Sequence, residues 1–82
     1  MPRFFFEIVQ DGNVQNDEVG VELASPNDLQ PFAVRRAAED LLRAAELEPI
    51  EWWLMEVRDE RQAVVGRISF VASEFVKSGC LN

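Results

Sequence analysis

The chain has 82 residues, 48% hydrophobic and 28% charged, with eight Lys and Arg against fifteen Asp and Glu, a formal net charge of −7 and no His. That length and apolar content predict one globular domain over residues 1–82, and the acidic balance argues against nucleic acid or an anionic membrane as partner, since both are polyanions bound by clustered cations. No apolar run approaches the ~20 residues of a membrane span, and with no His and Cys80 as the single cysteine, the commonest metal-ligand sets and any intrachain disulfide drop out.

The opening Met1-Pro2-Arg3-Phe4-Phe5-Phe6-Glu7 does not read as a secretory signal, because its apolar run ends at Glu7 before an h-region develops; a cytoplasmic location is expected. Alternation over Arg3 to Gln10 predicts a strand with Phe4, Phe6 and Ile8 on one face and Phe5, Glu7 and Val9 on the other. Asp11-Gly12 predicts a tight turn. A second strand follows, with Val19, Val21 and Leu23 on one face and Glu18, Gly20 and Glu22 on the other. The polar stretch Asn13 to Asp17 reads equally as loop or frayed strand.

Residues 28–47 predict a helix, with Pro26 before it, Pro31 in its first turn and Pro49 after its end. On a helical wheel Ala33, Val34, Ala37, Ala38, Leu41, Leu42, Ala44 and Ala45 form one apolar arc, opposite Arg35, Arg36, Glu39, Asp40, Arg43 and Glu46. Asn27 or Asp28 is the expected N-cap. The pairs Arg35/Glu39, Arg36/Asp40 and Glu39/Arg43, one turn apart, predict a wet, salt-laced face rather than a ligand site.

A second hairpin repeats the pattern. Trp53, Met55 and Val57 share one face, Trp52, Leu54, Glu56 and Arg58 the other, and Asp59 to Gln62 turn the chain into Val64 to Val71. There Ile68 and Phe70 face away from Arg67 and Ser69, and Gly66 marks a bulge or a close backbone approach. Ser73 to Gly79, with a cap, Lys77 and a glycine stop, predicts a short helical turn over 74–78.

The resulting expectation is an α+β fold, a two-layer β-β-α-β-β domain whose antiparallel four-stranded sheet packs on one amphipathic helix. One helix covers one face. The other is left with Phe5, Val9, Trp52, Leu54, Val65 and Val71 among Glu7, Glu22, Glu56, Arg58 and Arg67. Apolar area interleaved with both signs of charge suits an isologous homodimer interface, and Phe5, Glu7, Val9, Trp52, Leu54, Glu56, Arg58, Val65 and Arg67 are its expected residues. The alternative is that the C-terminal turn, with Phe75 and Val76, folds over this face.

Chemistry is thinly represented. Asp11 to Glu18 contains oxygen ligands without a calcium loop's spacing, since Gly12 falls at the second position rather than the sixth. Asp59-Glu60 and Glu46, Glu48 and Glu51 are acidic runs without an apolar pocket to raise a carboxylate pKa. Cys80 has no His to activate it. No catalytic residue, cofactor or metal is therefore expected. Three functions compete: a homodimeric accessory or regulatory protein-binding module without catalysis, an antitoxin-like partner of another protein, and a small carboxylate-based hydrolase.

Met1-Pro2-Arg3-Phe4-Phe5-Phe6, Asp11-Gly12, Asp17-Glu18-Val19-Gly20-Val21-Glu22-Leu23, the alanine-rich helix ending Ala37-Ala38-Glu39-Asp40-Leu41-Leu42, and Val57-Arg58-Asp59-Glu60 follow one another along this chain. Together they resemble a family of short uncharacterised bacterial proteins that open Met-Pro-Arg-aromatic-Phe-Phe and carry an Asp-x-x-Gly-x-Glu motif. The resemblance spans residues 1 to 72 and departs at Pro31-Phe32 and in the tail from Ser73. It implies a domain of unknown function and carries over no catalytic residue.

Overall fold

The computed structural model describes residues 1–72; the predicted turn over 74–78 and Cys80 lie outside them. Strands β1 (Arg3–Gln10), β2 (Asn13–Gln15) and β3 (Val21–Glu22) lead through a 3-10 turn (Pro26–Asp28) into helix α1 (Leu29–Leu47), followed by β4 (Trp52–Arg58) and β5 (Val64–Val71). All pairings are antiparallel. The order is β2-β1-β4-β5, with β3 also on β1. This is the expected α+β architecture, with β1 and β4 at the centre of the sheet.

The Asp11-Gly12 turn forms as predicted. Both residues have positive φ, 48° and 92°, the primed geometry that matches strand twist in a two-residue hairpin. Asp11 is committed further, since its Oδ1 accepts the Trp52 N–H at 3.0 Å and ties the hairpin tip to the start of β4.

The predicted second strand is split in two, because residues 16–20 leave the sheet between β2 and β3. Their departure strips the Phe6 N–H of a backbone partner. The Asp17 carboxylate replaces it: Oδ2 accepts from Phe6 N at 3.2 Å, and Oδ1 from Val19 N and Gly20 N at 3.1 and 2.9 Å. Burial pushes the Asp17 pKa up, but the N–H groups of Gly20, Phe6 and Val19, helped by the positive charge of Arg36, hold it below the ordinary aspartate value. Gly20 has φ +77°, and a Cβ there would lie 2.8 Å from Phe5 Cε2 and 2.9 Å from Arg3 Cγ, so only glycine fits. Arg3 completes the closure by donating to the Val19 carbonyl at 2.6 Å and pairing with Glu22. Val19, expected to share a face with Val21 and Leu23, is instead 74% exposed, because it rides on this excursion, while Leu23 is in the core.

Around the helix start the cap also differs from expectation. Ser25 accepts the Asn27 N–H at 3.2 Å and heads the 3-10 turn; Asp28 precedes α1 without a side-chain capping bond.

The core is made by Phe4, Phe6 and Ile8 of β1, Trp53, Met55 and Val57 of β4, Leu23, and Ala33 and Ala37 of α1. Phe32, Leu41, Ile68 and Phe70 pack around it, partly buried. The helix is turned off the centre of its apolar arc. Ala33 and Ala37 are buried, whereas Val34 and Leu42, expected in the buried stripe, are 54% and 68% exposed on the flank beside β5. On the opposite flank two residues assigned to the wet face come inward. Arg36 lies 5.0 Å above the Phe6 ring, itself 5.5 Å from Phe32, and Asp40 is half-buried. The aromatic pair and its cation draw that flank down. Of the predicted ladder of ion pairs, the described residues contain instead Arg43–Asp40, 3.6 Å apart and three residues apart in sequence.

Asp17 has a depressed folded pKa, so its stabilisation is complete above the unfolded value of about 3.8 and is lost as pH falls through the folded value. Asp17→Asn is expected to cost ~2 kcal/mol at neutral pH, the scale of bonds to a charged acceptor, and to reduce the loss of stability in acid. Gly20→Ala is expected to cost at least ~1–2 kcal/mol from backbone strain alone. Urea unfolding at neutral and acid pH measures both; an Asp17→Asn protein as stable as the parent at neutral pH contradicts the capping role.

Candidate functional site

Alternate residues of β1, β4 and β5 project from the side of the sheet opposite α1. The cross-strand rows are Phe5–Arg58, Glu7–Glu56–Arg67, Val9–Leu54–Ser69 and Trp52–Val71. Eight of the expected interface residues, Phe5, Glu7, Val9, Trp52, Leu54, Glu56, Arg58 and Arg67, therefore share one face. Trp52 is 38% exposed, and Phe5, Val9 and Leu54 are half-buried.

Val65 departs from this set. The register slips between Val57 and Arg58, so that Val57 pairs with Gly66 and Arg58 with Val64. Val65 is the extra residue of the bulge, and it lines a recess on the helix side with Leu29, Ala33 and Val34. Strict alternation placed it on the open face; the bulge at Gly66 breaks that alternation.

Two positions complete the face and were not anticipated. Val14, half-exposed, lies opposite Val9 and carries the apolar patch onto β2. Counting back from a two-residue Asp11-Gly12 turn gives this register directly. Val64, opposite Arg58, lies on this face where Val65 was expected.

The centre of the face is charged. Glu7 and Glu56 stand directly opposite one another, a repulsive arrangement on a sheet surface. Glu56 is held by Arg58 Nη2 at 2.7 Å and Arg67 Nε at 3.1 Å. The hydrogen bond from Arg67 leads in lowering its pKa below the ordinary glutamate value; partial desolvation opposes this, and the charge of Arg58 reinforces it. Arg58 is steadied in turn by donating to the Gln62 carbonyl at 3.1 Å.

The acidic loops do not converge. Asp11 and Asp17 are spent on different backbone N–H groups, Glu18 is exposed, and Asp59 Oδ1 accepts from Arg61 N and Ala63 N within its own turn. Among the described residues no group of three or more His, Cys, Asp and Glu is placed to hold a metal, and no helix is long and apolar enough to cross a membrane.

The fold and this surface define a two-layer α+β domain with one sheet face covered by the helix and the other open among the described residues. The chain belongs to the family described as Domain of unknown function (DUF6894), which matches residues 3–71. Comparison with curated proteins and with solved structures gives no match. The family span takes in Asp17, Gly20 and Glu22, whose side chains or backbone hold the interrupted edge together.

Since the Glu56 pKa is lowered on folding, its contribution is present above the unfolded glutamate value and disappears as pH falls through the folded one. In a carboxyl NMR titration Glu56 is expected to titrate below a model glutamate, and Arg67→Ala is expected to move it upward. An unchanged midpoint in that variant rules out Arg67 as the main cause.

Proposed function

We propose that this chain is a cytoplasmic accessory or regulatory protein-binding module that works without catalysis, as a homodimer closed across the open sheet face. The observation that carries the reading is the composition of that face. Apolar side chains from Val14 through Val9 to Leu54, with Phe5 and Trp52 beside them, surround a charge-balanced centre of Glu7, Glu56, Arg58 and Arg67. The chain as a whole carries −7, so a second copy meets its own surface here without the repulsion it would feel elsewhere.

Self-pairing also answers the leftover charge. Both arginines are engaged by Glu56, while Glu7 makes no ion pair among the described residues. A twofold axis can bring Arg58 or Arg67 of one copy to Glu7 of the other. The commitment of Asp11 and Asp17 to backbone amides speaks against the hydrolase reading, which needs converging carboxylates. In an antitoxin-like role the same face takes a foreign chain, and the oligomeric state separates the two.

Light scattering on the purified chain is expected to give more than one copy per particle. Leu54→Arg, which puts an unpaired charge into the apolar row, is expected to halve the particle mass at unchanged circular dichroism, a loss of ~3 kcal/mol in association. A parent protein that is monomeric at high micromolar concentration removes the homodimer and leaves the foreign chain as the occupant.

A further inference from the structure

The two edges of the sheet are treated differently. On the β2/β3 side the strands are two or three residues long, the chain bulges out between them, and the exposed β1 amide of Phe6 is capped by Asp17. These devices stop a foreign strand from adding. On the other side β5 runs eight residues, VVGRISFV, with no proline, no lysine and no acid, and its one charge, Arg67, leans inward onto Glu56. Ala72 N donates to Glu51 O at 2.8 Å, and antiparallel alternation from that bond turns the N–H and C=O groups of Gly66, Ile68 and Phe70 toward β4. Those of Arg67, Ser69 and Val71 point out of the sheet, unpaired among the described residues.

Beside this edge the helix leaves its apolar flank open. Ala38, Leu41, Leu42 and Ala45 of α1 border a hollow of about 540 Å³ with Ile50 and Phe70. Further along, Val34, Ala33, Val57, Val65 and Ile68 border a second hollow of about 230 Å³ around Gly66. A Cβ built on Gly66 meets nothing within 4 Å.

We infer that β5 pairs antiparallel with β5 of a second copy, about a twofold axis through Ile68. The sequence is self-complementary in that register. Ser69 and Arg67 of opposite copies become a hydrogen-bonded pair through their free backbone groups, and Ile68 meets Ile68. Phe70 of each copy falls opposite Gly66 of the other, where side chains of an antiparallel pair come closest, so its ring enters the hollow that Gly66 leaves; an aromatic across from an edge glycine restores the packing the glycine lacks. The neighbouring register, centred on Arg67, sets two arginines against each other. Val34, exposed on the flank of α1 and lining the recess with Gly66 and Ile68, then borders the seam that the added copy enters. No acid lies on β5, so the chain's surplus negative charge is kept away from the contact.

This contact needs no part of the open-face reading, since it lies at the sheet edge and on the helix side. With both contacts made, two open-face dimers join into four chains. The test uses substitutions that touch one contact each: Leu54→Arg on the open face, and Val34→Glu and Gly66→Val on the helix side of the edge. Sedimentation velocity across a wide concentration range is paired with amide hydrogen exchange. In the Leu54→Arg protein a dimer is expected to remain, with Arg67, Ser69 and Val71 amides protected. Adding Val34→Glu or Gly66→Val is expected to weaken that dimer at least tenfold and release those amides.

A monomeric Leu54→Arg protein with freely exchanging β5 amides overturns the edge contact and leaves the open-face reading intact. So does an assembly indifferent to Val34→Glu and Gly66→Val. Protection that does not fall on dilution also overturns it, by showing that the chain's own residues 73–82 cover the edge. If instead Leu54→Arg leaves the parent mass unchanged while the edge variants lower it, the open-face reading fails and the edge contact stands.

Discussion

One helix about 10 Å across shelters roughly two strands at ~4.8 Å spacing, and this sheet is four strands wide. The helix sits over β1 and β4, where Phe4, Phe6, Trp53, Met55 and Val57 supply the bulkiest apolar set. Everything else follows from that shortfall in cover. The far side of the sheet has no second layer among the described residues, and Ile68 and Phe70 of β5 are only partly sheltered by the near one. The turn of α1 that sets its Phe32 and Arg36 against Phe6 of β1 widens the shortfall, since it carries Val34 and Leu42 out toward β5.

Against that background the interrupted edge is informative. A continuous second strand over residues 13–22 would have paired fully with β1 and presented its own bare edge. The chain instead breaks the strand and uses one carboxylate to satisfy the amide it uncovers. A break of this kind normally costs a buried unpaired donor; Asp17 removes that cost and Gly20 supplies the backbone path. The protection of one edge sets it apart from the other, which no strand among the described residues covers.

Much of this was legible in the residues. Alternation in β1 and β4 gave the two faces correctly, Asp11-Gly12 gave the hairpin, and the prolines framed the helix. What escaped was set by tertiary contact. The helical wheel weighs Ala45 and Leu42 as apolar, yet rotation of a helix on a sheet is decided by the largest side chains near it, here Phe32 against Phe6. Val65 was misplaced because a bulge is invisible to period counting, although Gly66 pointed to it. The Asp-x-x-Gly-x-Glu spacing was visible as a motif, but nothing in a linear sequence shows that its aspartate reaches back to Phe6.

The charge arrangement bears on whether the open face is simply a wet surface. Two glutamates placed directly across a ladder repel, and a solvated face has no need of them there. Here one of the pair, Glu56, draws in both arginines and binds them tightly enough to lower its own pKa, which leaves the other facing outward beside apolar neighbours. In the monomer that costs stability without return. In the homodimer proposed above, a twofold axis would repeat the same four residues in reversed order, so that each copy would offer cations near the other's Glu7, with Leu54, Val9 and Trp52 around them. Under that proposal, repulsion within one sheet would help set the register of two, because a placement that meets one Glu7 with a cation meets the other by symmetry.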